Sequence, residues 1–106
     1  MSMDINKMMQ QVQQMQADMA KAQEELAGET VEASAGGGMV TVKATGALEI
    51  TEILIAPEAI DPDDPELLAD MVLAAVNEAL RSAQQLVETK LGGAMGGMQG
   101  LGLPGL

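Results

Sequence analysis

The side chains that ordinarily carry covalent or acid–base chemistry near neutral pH are missing from these 106 residues: there is no His, no Cys and no Tyr. What remains is Ser2, Ser34, Ser82, five Thr, sixteen acids and five Lys or Arg. A hydroxyl nucleophile needs a base beside it, and carboxylate and Lys are the only base types on offer. The carboxylates gather in one loop and along helix faces rather than as a pair flanking a pocket, so solvated charge accounts for them better than a glycosidase-like reaction. An enzyme is not expected.

Ligand-binding patterns fail in the same way. Asp61, Asp63, Asp64 and Glu66 suggest a calcium loop. Counted from Asp61, however, the sixth place is Glu66, where such a loop needs Gly, and the twelfth is Val72, where it needs a bidentate Glu. Gly36-Gly37-Gly38 precedes a strand and carries no Lys-Ser/Thr, whereas a phosphate-cradling loop follows a strand and opens a helix. Neither a metal nor a cofactor is expected, and the triplet reads as a turn.

That leaves non-covalent grip. The net charge of −11 opposes binding to a polyanion, because Lys and Arg supply most of that affinity through the counterions they release. The charge is uneven, however. Residues 1–23 sum to zero, residues 24–80 to −12 and residues 81–106 to +1. Any contact with nucleic acid should therefore come from the two ends: Lys7 and Lys21 near the start, Arg81 and Lys90 near the finish, with Gln10 and Gln14 donating to phosphate oxygens. The competing reading keeps the cations on helix surfaces as intrahelical partners, Asp4 with Lys7, Asp18 with Lys21 and Glu78 with Arg81.

Elements must hold these residues in place. From Ile5 to Leu26 the apolar positions Ile5, Met8, Val12, Met15, Met19, Ala22 and Leu26 alternate steps of three and four, a heptad seam that predicts a helix packing lengthwise on another. Asp4 is a fair N-cap and Gly28 a fair stop, and the roughly 24 residues between them would extend about 36 Å. The other faces of this helix hold Gln10, Gln11, Gln13, Gln14, Gln16 and Gln23, which serve equally as a soluble surface. With no net charge and no aromatic residue, it lacks the pattern of a membrane-surface helix.

Three strands follow, in 29–34, 39–45 and 47–56, separated by glycines and predicting an antiparallel meander. Val40, Val42 and Ala44 alternate with Thr41, Lys43 and Thr45, marking one buried face. In the third strand Leu48 and Ile50 share one parity and Ile53 and Ile55 the other, which calls for a bulge near Thr51 and Glu52 or a strand covered on both faces. Asp64-Pro65-Glu66 is a strong helix start. An apolar stripe then runs from Leu68 through Ala75, Ala79 and Ala83 to Leu91, where Gly92-Gly93 should end the helix. Asn77, amid small residues, reads as making a structural hydrogen bond, with partner contact as the alternative. Residues 92–106 hold seven Gly and no charge and read as a flexible tail, leaving one domain over 1–91.

A chain this short, with ten Met and no aromatic residue, has little bulk for a core, so an elongated or dimeric body is expected. No stretch approaches the ~20 apolar residues of a membrane span, and no charged-then-apolar leader stands at the start, so a cytoplasmic place is expected.

Three strings in register resemble the YbaB/EbfC family of bacterial nucleoid-associated proteins. They are Met8-Met9-Gln10-Gln11-Val12-Gln13-Gln14-Met15-Gln16, Ala35-Gly36-Gly37-Gly38-Met39-Val40-Thr41-Val42, and the run from Leu67 to Leu80. The likeness spans residues 3–91, and the Gly-Met tail is also typical. It implies an α+β fold of order α-β-β-β-α and a homodimer with strands joined across the two-fold and helices projecting like tweezers. It further implies nucleoid localisation and duplex DNA binding with little sequence specificity. Roles in nucleoid organisation, gene regulation or recombinational repair would follow, alongside repair or replication proteins. The alternative is an acidic protein–protein adaptor of the same fold that does not touch DNA.

Overall fold

The structure is a computed structural model that describes the backbone of residues 2–99 and the side chains of residues 4–92. Its elements are α1 (Ser2–Gly28), β1 (Thr30–Ala35), β2 (Val40–Thr45), β3 (Ile50–Ile55), a short 3₁₀ turn at Pro57–Ala59 and α2 (Pro65–Gln99). The order is the expected α-β-β-β-α, in a body 75 Å long but only 26 by 16 Å across.

The three strands form an antiparallel meander in the order β1-β2-β3. Gly36, Gly37 and Gly38 all take positive φ at the first turn, a run of left-handed residues that side chains with a Cβ resist. The second turn takes residues 46–49 with Leu48 at φ 63°, so β3 begins at Ile50 rather than Ala47. Lys43 faces Glu52 while Ala44 faces Ile50, which leaves Thr51 as an extra residue on β3. This bulge is one of the two readings the parity change allowed; the other, cover on both faces, is not supplied among the described residues, where β3 is exposed along most of its length.

Asp64 caps α2, its Oδ1 accepting the backbone N–H of Leu67 at 3.2 Å with Pro65 at the first helical position. α2 lies across β1 and β2, where Ala75, Ala79 and Ala83 meet Val40, Val42 and Ala44, all with no exposed surface. Alanine at three successive turns lets the helix backbone come close to the sheet, so small residues make a tight core without aromatics. Asn77 stands on the exposed face of α2 and is not buried among those alanines.

Two helix ends differ from expectation. α1 begins at Ser2, so Asp4 sits inside its first turn, where a carboxylate still suits the positive end of the helix dipole. α2 does not stop at Gly92-Gly93 but continues to Gln99. Each interior Gly costs about 1 kcal/mol relative to Ala, yet lengthening an existing helix avoids the nucleation cost that would stop a new one. Residues 100–106, the rest of the expected tail, lie outside the described residues.

Candidate nucleic-acid interface

α1 is joined to the body only through its last turns. Ala22 and Leu26 are buried and Met19 half-buried, whereas Ile5, Met8, Val12 and Met15 are exposed. The joint is made at the second turn of the sheet. Gly46 N–H donates to the carbonyls of Leu26, at 2.9 Å, and Glu29, at 3.1 Å. A Cβ on Gly46 would fall onto the Leu26 carbonyl oxygen, so only Gly permits this approach.

Lys7, Gln10, Gln14 and Lys21 are all exposed on α1. At about 100° per residue, they fall within an arc of about 60° on the side of α1 away from its apolar seam. Lys7 and Lys21 stand about 21 Å apart along the axis. The Gln14 amide donates to Asp18 Oδ1 at 3.0 Å. Of the three expected intrahelical pairs, only Glu78 with Arg81 forms among the described residues, at 3.1 Å and well exposed. Lys7 and Lys21 enter no ion pair there.

The four candidate cations are not one patch. Arg81 lies on the body part of α2, away from the α1 stripe. Lys90 is held between two acids, its Nζ 2.7 Å from Glu25 Oε2 and 3.5 Å from Glu29 Oε1. The hydrogen bond from Lys90 holds the Glu25 carboxyl below its usual range, and the same bond raises the Lys90 ammonium above its own. The fifth cation, Lys43, pairs with Glu52 across the strands at 3.2 Å. Sequence reasoning missed the Glu25–Lys90–Glu29 cluster, because the partners are distant along the chain.

A second surface lies on β3. Its side chains Ile53, Leu54 and Ile55 remain 38–48% exposed on an edge strand whose outer backbone groups have no partner strand among the described residues. No helix among the described residues is long and apolar enough to cross a membrane.

The model of the YbaB/EbfC DNA-binding family matches residues 1–98. The chain belongs to this family. It is 55% identical over 103 residues to a nucleoid-associated protein of Acetivibrio thermocellus, covering 97% of this chain and 89% of that one. A nucleoid-associated protein of Desulforamulus reducens is also 55% identical over 103 residues, with 97% and 95% covered. One from Chloroflexus aurantiacus is 50% identical over 99 residues, with 93% and 99% covered. The fold is shared with the crystal structure of an uncharacterized protein from Helicobacter pylori. There the TM-score is 0.62 at 19% identity, covering 74% of this chain and 90% of that one.

Proposed function

We propose that the protein is a dimeric nucleoid-associated protein that grips duplex DNA through its α1 arms with little sequence specificity. The observation that carries this reading is the α1 stripe. Lys7, Gln10, Gln14 and Lys21 occupy one side of a helix that is neutral over residues 2–23, and that stretch extends away from the acidic body. Lys and Gln there offer donors to phosphate oxygens without reading base edges, which is the chemistry of sequence-tolerant binding. The YbaB/EbfC relatives named nucleoid-associated support the same assignment, and with it a place in the nucleoid and roles in its organisation, in gene regulation or in recombinational repair.

The dimer forms through β3. An exposed apolar edge strand is a liability for a lone chain, and an identical antiparallel edge satisfies both its backbone groups and its side chains. Pairing of β3 with its copy brings two α1 arms into one particle, so a duplex meets twice the number of cations.

Fluorescence anisotropy of labelled duplexes of unrelated sequence, titrated from low to physiological salt, tests the reading. Binding should be micromolar or tighter at low salt, vary little with sequence and weaken steeply as salt rises. Lys7→Ala with Lys21→Ala should flatten the log–log salt dependence by about 0.9 per lost phosphate contact. Arg81→Ala, on the body, should change it less. Absence of binding even at low salt would leave the acidic surface as an adaptor for protein partners.

A further inference from the structure

We propose that Lys90 is a positioning residue: clasped by Glu25 and Glu29, it sets the angle at which α1 leaves the body, and so the place of Lys7, Gln10, Gln14 and Lys21, without touching DNA itself. The effect on DNA rests on the reading above; the effect on α1 does not.

The clasp stands where the chain changes direction. Glu25 is in the last turn of α1, Glu29 opens the passage into β1, and Lys90 reaches both from α2. Gly28 lies between the two acids, and no heavy atom lies near the position a Cβ would take there, so side-chain packing at that residue does not stiffen the exit. Apolar packing at the joint is incomplete as well. Beside Leu26, Val87 and Leu91 lies a hollow of about 320 Å³, also bounded by Gln23, Gly46, Ala47 and Leu48. Ala22, Leu26 and the Gly46 hydrogen bonds fix the foot of α1, but beside this hollow they leave its tilt room to swing, and the ion cluster removes that freedom.

The local charge also argues against a phosphate contact. Two carboxylates surround one ammonium, so the cluster as a whole is negative and has no cationic charge left for an approaching polyanion. The side chain of Lys90 is 30% exposed, against 64% for Arg81. Glu29 Oε2 is buried with no hydrogen-bond partner, while the side chain as a whole stays 41% exposed, so one carboxylate oxygen faces the joint and the other Lys90.

A small swing at this joint has a large consequence at the far end. Lys7 is 18 residues before Glu25, about 27 Å along the helix. A rotation of about 10° displaces it by about 5 Å, more than the ~3.4 Å axial step between phosphates of one strand. Holding the angle is therefore what keeps the stripe in register with a backbone.

Lys90→Met and Glu25→Gln test the clasp, with the charge swap Glu25→Lys plus Lys90→Glu as rescue. Partly exposed ion pairs of this kind contribute little to global stability, so the single variants should fold. The chain has no Cys, so spin labels at Gln11→Cys and Ser34→Cys, diluted with unlabelled protein, report the α1-to-sheet distance by double electron–electron resonance. Wild type should give a narrow distribution, both single variants a broad one, and the swap a narrow one again. Unchanged widths would overturn the proposal whether or not the protein binds DNA.

On DNA, the sign of the Glu25→Gln effect discriminates. Removing an acid near a polyanion strengthens binding if charge alone matters, whereas loss of the clasp should weaken it about 3- to 10-fold with no change in salt slope. Lys90→Met should do the same. A slope reduced by about 1 for Lys90→Met would make Lys90 a phosphate contact and overturn the assignment. So would a broadened distance distribution that leaves affinity untouched. If wild type itself fails to bind, the DNA reading falls, and the distance measurement still decides whether Lys90 holds α1.

Discussion

α1 and α2 carry apolar stripes at helical spacing, and the two stripes meet different fates. Along α2, Ala75, Ala79 and Ala83 are completely buried on the sheet. Along α1, burial is confined to Ala22 and Leu26, while Ile5, Met8, Val12 and Met15 stay 45–64% exposed. Periodicity therefore states where a helix can accept cover and is silent on whether the same chain provides it. The fully buried centre of the α2 stripe is alanine, suited to close approach on a sheet, whereas the exposed part of the α1 stripe includes Met8 and Met15, whose flexible side chains adapt to varied contacts.

The contrast is broken most forcefully by putting the same charge into both stripes. Ala79→Asp places a carboxylate with no partner among Val40, Val42 and Ala83, and should cost at least about 3 kcal/mol, a large share of the stability of so small a domain. Val12→Asp, on the exposed seam, should cost less than about 1 kcal/mol, chiefly through helix propensity. Urea unfolding of the two variants measures both. Comparable losses would mean that the α1 seam is covered in solution.

The sheet repeats the contrast between its covered strands and its bare edge. Ile53→Glu adds a charge at a position 44% exposed, so each subunit should keep its fold, but two such edges brought together would repel. If the proposed β3 dimer forms, sedimentation velocity should show a dimer for the wild type and a monomer for the variant. A dimer that persists in the variant would move the interface off β3.

The parts of the molecule that the sequence made legible are those set by local rules. Val40, Val42 and Ala44 alternate and are fully buried; Asp64-Pro65 starts a helix and does so with the cap bond in place; the parity change in β3 offered a bulge near Thr51 and Glu52 as one of two readings, and Thr51 is the extra residue. What escaped was decided by partners far along the chain or outside it. Lys90 read as a free cation because Glu29, 61 residues away, is not visible from its neighbours. Asp18 and Lys21 have the spacing of an ion pair, yet the amide of Gln14 reaches Asp18 first. Ile53-Leu54-Ile55 read equally well as a strand covered on both faces, since hydrophobicity marks a need for cover and not its source. At the candidate site, the neutral-to-basic ends were legible from the distribution of charge, but the division of their cations into an arm stripe, a body residue and a clasp was not.

The smallest predicted effect compares the two helix starts. Asp64→Ala removes the oxygen that accepts the Leu67 N–H and should cost about 1 kcal/mol, within the usual range for an N-cap. Asp4→Ala should cost only about 0.3–0.5 kcal/mol, because α1 already begins at Ser2 and Asp4 contributes there through the helix dipole alone. Added salt screens the dipole contribution of Asp4 and leaves most of the hydrogen bond at Asp64, so raising ionic strength should widen the gap. Thermal unfolding at low and moderate salt separates the two. Equal losses that respond alike to salt would mean that α1 starts at Asp4 in solution, with the carboxylate acting as its cap.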